Sequence, residues 1–168
     1  VAVNVSTAEF YDRDLAAKIV EQVEKSEVPR GSFMVEITES LLIRNQQETL
    51  SFLLTLQAAG IRVALDDFGT GYSSLSYLSA FPADKLKIDR SFIQNISHEE
   101  SDMAMVAAII KLAHALNLEV VAEGVEELNE LQILKAHACK YVQGYYFSKP
   151  LNVKDFTKKL EDQILVTN

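Results

Sequence analysis

Apolar positions along the chain switch repeatedly between two periods. Short runs with strand-like patterning occupy 1–5, 33–37, 61–65, 85–88, 119–122 and 141–146. Between them, apolar residues recur at helical spacing. Leu15, Ile19, Val20 and Val23 mark one face of a first helix, and Leu50, Leu53, Leu54 and Leu56 mark a second. Further helices are predicted over 74–79, 102–116, 128–138 and 153–160. Pro29, Pro82 and Pro150 all fall in the connections, where a fixed φ and a missing N–H do no harm.

Repeated strand–helix units predict a parallel sheet, either open and doubly wound or closed into a (β/α)8 barrel. An open nucleotide-binding sheet would carry a glycine-rich loop after its first strand, yet the first glycine of this chain is Gly31. A barrel instead gathers polar residues at the carboxyl ends of many strands. Asn4, Glu36, Asp66 with Asp67, Lys87 with Asp89, Glu123 and Gln143 each fall at or near a separate predicted strand end. The expected fold class is therefore α/β, a (β/α)8 TIM-type barrel, with about six of its eight strands in this chain. A closed barrel of this type needs about 250 residues. Residues 1–168 are accordingly expected to form the C-terminal three-quarters of one barrel domain, with roughly 60–80 residues preceding Val1. The sheet should then be open beside its first strand, exposing an unpaired edge and an apolar interior.

Composition narrows the partners. A formal net charge of −8 argues against general DNA or RNA backbone binding. It does not argue against an anionic ligand held through divalent cations. Cys139 is the only cysteine, which excludes an intrachain disulfide and a cysteine zinc cluster and fits a reducing cytoplasm. No apolar run approaches the ~20 residues of a membrane span.

The candidate chemistry centres on Ala64-Leu65-Asp66-Asp67-Phe68-Gly69-Thr70-Gly71, where an apolar run drives into two adjacent carboxylates. Unpaired carboxylates are costly there. Either a cation holds them, or Asp67 caps a helix while the glycines let the chain bend. Asn, Glu and Asp oxygens suit hard cations such as magnesium or manganese, and adjacent Asp66 and Asp67 could bridge two ions. Two-metal sites of this kind serve in-line displacement at phosphorus. Lys87 could position or deprotonate the attacking water, or merely balance charge in a salt bridge to Asp66 or Asp89. Glu39, Glu126 and Glu127 could equally be helix-start residues. A Schiff-base role for Lys87 conflicts with neighbouring carboxylates, which hold an amine protonated.

Six motifs of this chain resemble those of the EAL domain, the cyclic-di-GMP phosphodiesterase family of bacterial signalling. They are Val3-Asn4-Val5-Ser6, Glu36-Ile37-Thr38-Glu39-Ser40, the run from Ala64 through Leu75, Leu86-Lys87-Ile88-Asp89, Ala122-Glu123-Gly124-Val125-Glu126 and Gln143-Gly144-Tyr145. Their order and spacing match from Asn4 to Pro150. The resemblance implies Asn4, Glu36, Asp66 and Glu123 as metal ligands, with Asp67 serving a second ion. It implies Lys87, Glu123 and Asp67 as the catalytic set, and Gln143, Glu126 and Asp89 as residues supporting the substrate or the ligands. Glu39 looks like the glutamate that anchors the loop over 68–73. The implied reaction is hydrolysis of cyclic-di-GMP to linear pGpG with two magnesium or manganese ions. The implied setting is a cytoplasmic homodimer whose parent also carries sensory or cyclase domains. One departure is large: the Glu-Ala-Leu motif that names the family is absent. Its glutamate, a further metal ligand, is expected from the segment before Val1. That departure sustains an alternative, an EAL-like receptor or interaction module that binds cyclic-di-GMP without cleaving it.

Overall fold

The computed structural model of the chain describes residues 1–44, 46–70, 78 and 80–166, leaving aside the side chains of 42–44 and 163–166. All six expected strands form: β1 (Ala2–Val5), β2 (Met34–Thr38), β3 (Arg62–Phe68), β4 (Lys85–Ile88), β5 (Glu119–Glu123) and β6 (Tyr141–Gln143). Every pairing is parallel, and the strands lie in the order β1-β2-β3-β4-β5-β6. That order arises when each βα unit lays its strand beside the previous one. β1 and β6 are the two ends of the sheet, so the barrel is partial in this chain.

The helices are α1 (Thr7–Phe10), α2 (Leu15–Lys25), α3 (Glu39–Arg44), α4 (Gln46–Ala58), α5 (Arg90–Ile93), α6 (Glu100–Ala115), α7 (Leu128–Ala136) and α8 (Val153–Val166). The helix expected over 74–79 lies outside the described residues except for buried Leu78. Among the described residues, no helix is long and apolar enough to cross a membrane. Three short helices, α1, α3 and α5, escape the periodicity because each is too brief to show a repeat. Local chemistry marks two of them. At α1 the Ser6 N–H donates to Glu9 Oε2 at 2.9 Å and the Glu9 N–H returns to Ser6 Oγ at 3.3 Å, a capping box. At α5 Asp89 Oδ1 accepts from the Ser91 N–H at 2.9 Å.

Alternation along the strands sorts the sheet into two faces. Val35, Ile37, Val63, Leu65, Leu86, Ile88, Val120 and Ala122 are buried in one core with Leu53 and Leu56 of α4, Val106 and Ile110 of α6, and Leu134 of α7. The intervening positions carry Glu36, Asp66, Lys87 and Glu123 on the concave face. Lower on that face, Lys85 pairs with Glu119 at 3.2 Å and the Tyr141 hydroxyl donates to Glu119 at 2.9 Å. This corrects the expectation of an apolar interior: the open concave face is polar. Exposed apolar residues include Val1 and Val3 at one end of the sheet and Tyr145, Phe147 and Phe156 beyond the other.

Candidate active site

The aspartate pair needs more than a strand end. Successive side chains of a regular strand face opposite sides, so Asp66 and Asp67 could not both serve one cleft. The structure resolves this with a bulge. Leu65 pairs with Leu86 and Phe68 with Ile88, so Asp66 and Asp67 together oppose Lys87 alone. Asp67 takes the left-handed conformation, with φ +55°, a conformation that aspartate tolerates better than most residues. Its N–H donates to Asp66 Oδ1 at 3.1 Å, and the Thr70 hydroxyl donates to its carbonyl at 2.8 Å. β3 thus runs to Phe68, three residues past the expected end at 65, and carries both carboxylates within a paired strand. Neither aspartate caps a helix among the described residues.

Glu39 holds the far side of this turn. It is 1% exposed at the start of α3, and its Oε2 accepts the Gly69 N–H at 2.9 Å. Its Oε1 is buried with no hydrogen-bond partner among the described residues. The anchoring expected of Glu39 therefore reaches Gly69, while 71–73 of the expected loop lie outside the described residues. Glu39→Ala strands the Gly69 N–H and should cost about 1–3 kcal/mol of stability, measured by urea unfolding of the variant.

Four adjacent strands converge on Lys87. Its Nζ lies 2.8 Å from Glu36 Oε2, 2.9 Å from Asp66 Oδ1 and 2.9 Å from Glu123 Oε1. Burial works against the ammonium, but hydrogen bonds to Glu36, Glu123 and Asp66 outweigh it and hold the Lys87 pKa well above the usual lysine range. The charge-balancing role for Lys87 is therefore real, with Glu36, Asp66 and Glu123 as partners rather than Asp89. Burial pushes the Glu123 carboxyl up against the pull of Lys87. Burial also raises Asp67, aided by the charges of Asp66 and Asp89. One ammonium among so many carboxylates leaves the cluster short of positive charge. The donors are all hard oxygens, the chemistry a magnesium or manganese ion takes. Among the described residues, Glu36, Asp66 and Glu123 close on Lys87, and no group of three or more His, Cys, Asp or Glu side chains is placed to hold a metal ion. Asn4 stands beside Glu36 in the β1–β2 register and is exposed.

Next to this cluster lies a cleft of about 300 Å³ lined by Asp67, Asp89, Arg90, Glu123, Gly124, Glu126, Gln143, Gly144 and Tyr145. It brings Gln143, Glu126 and Asp89 together. Asp89 also caps α5; burial opposes its charge, but the hydrogen bonds from Ser91 prevail and lower its pKa. Glu126 is exposed, and its backbone N–H donates to the buried Glu130 Oε2 at 2.7 Å, as does that of Glu127 at 3.0 Å. Glu130 is the carboxylate that fixes the start of α7, a role readable from the spacing of Glu127 and Glu130. Sequence reasoning missed Arg90, Gly124, Gly144 and Tyr145 at the cleft, because only folding brings three successive strand-end loops together. Cys139 is buried, its thiol 3.3 Å from the Tyr141 carbonyl.

Comparison with known proteins agrees with this architecture. Residues 1–150 match the model of the EAL domain. Over 151 residues the chain is 42% identical to the cyclic di-GMP phosphodiesterase NbdA of Pseudomonas aeruginosa, which covers 90% of this chain and 19% of that protein. The solved PaMucR phosphodiesterase in complex with c-di-GMP superposes with a TM-score of 0.88 at 37% identity, over 92% of this chain and 63% of that one. BlrP1 of Klebsiella pneumoniae, in a manganese and cyclic-di-GMP complex, superposes with a TM-score of 0.82 at 32% identity, over 89% of this chain and 38% of that one. The chain spans about a fifth of the length of the curated relatives it matches. A match that runs from β1 past β6, shared with solved relatives of the same fold, places this chain in the EAL domain family.

Proposed function

We propose that this chain carries most of the active site of a cyclic-di-GMP phosphodiesterase, and that residues 1–168 are the C-terminal three-quarters of its barrel domain. The observation that carries the reading is the convergence of Glu36, Asp66 and Glu123, from three strands, within 2.9 Å of Lys87. The names of NbdA and PaMucR support the substrate, and the manganese complex of BlrP1 supports a divalent ion. Glu36, Asp66 and Glu123, with Asn4 and Asp67, would hold two magnesium or manganese ions, together with one glutamate from outside this chain. Ions bound there would neutralise the phosphate and supply a water ready to attack it. Lys87 donates hydrogen bonds that keep the carboxylates oriented, and its charge stands where a phosphate would approach. Gln143, Asp89 and Glu126 border the space left for the nucleotide. Water adds to one phosphorus, one P–O ester bond breaks, and the product is linear pGpG. The same reading has the protein act in the cytoplasm as a homodimer, within a parent that carries sensory or cyclase domains; MucR, named a bifunctional cyclase and phosphodiesterase, is a relative of that kind.

A receptor that binds cyclic-di-GMP without cleaving it is the second reading. What favours it is the hold of Lys87 on Glu36, Asp66 and Glu123, each within 2.9 Å of its Nζ. The two separate in one assay of the parent protein with cyclic-di-GMP and magnesium or manganese. The phosphodiesterase converts the substrate to pGpG and stops when the ions are chelated. Asp66→Ala should weaken affinity for the divalent ion at least about 10–100-fold, measured by calorimetric titration. Binding of cyclic-di-GMP with no pGpG formed supports the receptor.

A further inference from the structure

We propose that Arg90 contacts the substrate, its guanidinium taking a phosphate of the cyclic dinucleotide at the rim of the cleft; this rests on the phosphodiesterase reading above. The cleft wall is strongly acidic, with Asp67, Asp89, Glu123 and Glu126 in its lining, and Arg90 is the one cation among the described lining residues. The ligand carries two phosphates: ions held by the carboxylates around Lys87 would meet one of them, and the other needs positive charge elsewhere along such a wall. Arg90 has charge to give. It is exposed, and among the described residues it makes no ion pair within 4 Å. Its neighbour Asp89 feels the Arg90 charge but forms no ion pair with it within 4 Å, and its Oδ1 accepts from the Ser91 N–H at 2.9 Å.

The stem of Arg90 is fixed as well. A Cβ built on Gly124 would lie 2.4 Å from Arg90 Cβ and 3.3 Å from Arg90 Cα. The first carbons of the side chain therefore lie flat on the Gly124 backbone, in the loop that follows Glu123. That contact pre-sets the root of a flexible side chain beside the cleft, so less freedom is lost when the guanidinium binds. A guanidinium fork matches two phosphate oxygens at once, which a lysine cannot do. The same fork also fits the O6/N7 edge of guanine, so the test must tell the two contacts apart.

The parent protein with Arg90→Ala and Arg90→Lys provides that test. Arg90→Ala should raise KM for cyclic-di-GMP about tenfold, the worth of one charge-assisted contact, while kcat stays within about threefold. The salt dependence of kcat/KM should flatten, and Arg90→Lys should recover part of the loss. Calorimetric Kd values for cyclic-di-GMP and cyclic-di-AMP supply a readout independent of turnover. Both ligands should weaken alike in Arg90→Ala. Unchanged KM and Kd, or a fall in kcat alone, overturns the assignment. Weakening confined to the guanine ligand overturns the phosphate contact. A wild-type protein that binds without cleaving sinks the phosphodiesterase reading alone, and the Kd series still decides Arg90. No binding of cyclic-di-GMP at all by the wild type overturns both.

Discussion

Lys87→Met should lower turnover of cyclic-di-GMP about 10²–10³-fold and, with divalent ions chelated, destabilise the protein by roughly 3–5 kcal/mol. The size follows from what the substitution strands. Glu36, Asp66 and Glu123 all direct an oxygen at Nζ within 2.9 Å, and their side chains are only 12–18% exposed. Methionine fills the volume of the lysine stem and leaves three carboxylates facing one another with no cation. Removing one partner of a buried ion pair leaves an uncompensated charge, which costs far more than the pair contributes. The same reasoning sets a sign for added metal: magnesium or manganese should restore more stability to Lys87→Met than it adds to the wild type, because the variant lacks the competing ammonium. Urea unfolding with and without the ion, alongside turnover, checks both halves. A variant as stable and as active as the wild type would show that the carboxylates do not depend on Lys87.

Much of this site is legible in the sequence because a parallel barrel writes it there twice. Alternation within each strand separates Val35 and Ile37 from Glu36, and Leu86 and Ile88 from Lys87, so one face reads as core and the other as chemistry. Each polar position then recurs at the end of its own strand, so the sequence alone brings Glu36, Asp66, Lys87 and Glu123 to one face. What the pattern hides is local. Two adjacent aspartates read as one strand end, while the bulge that turns both to use depends on pairing with β4. An apolar interior is expected from the open sheet edge, yet Lys85, Glu119 and Tyr141 fill the concave face below the site with polar groups. Arg90 carries no periodic signal at all, and Tyr145 reads as part of a strand over 141–146 that in fact ends at Gln143. They belong to the cleft only because β4, β5 and β6 deliver their loops side by side.

Gly144→Ala should be the most damaging single-methyl substitution in this region, costing about 3–5 kcal/mol and raising KM for cyclic-di-GMP at least about tenfold. A Cβ at this position would lie 2.1 Å from the carbonyl oxygen of Val125, 2.3 Å from its nitrogen and 2.7 Å from its carbonyl carbon. All three are backbone atoms, so no rotamer change can make room, and the loops after β5 and β6 must part. Parting them breaks the hydrogen bonds from the Val125 N–H to the Gln143 carbonyl, at 3.1 Å, and from the Tyr146 N–H to the Val125 carbonyl, at 3.0 Å. Val125 is fully buried, so the groups released there lose their partners without gaining water. Glu126, Gln143 and Tyr145 then lose their common frame, and the wall of the cleft goes with them. Gly31→Ala is the contrasting case. Gly31 has a left-handed backbone, φ +77°, which Gly144 does not, and a Cβ there meets nothing within 4 Å, so its cost should stay near the ~1–2 kcal/mol of the conformation alone. Urea unfolding of both variants sets the steric cost at Gly144 against a purely conformational one. A Gly144→Ala protein no less stable than Gly31→Ala would mean that the two loops are not interlocked, and that Gln143 owes its place in the cleft to something other than the backbone of Val125.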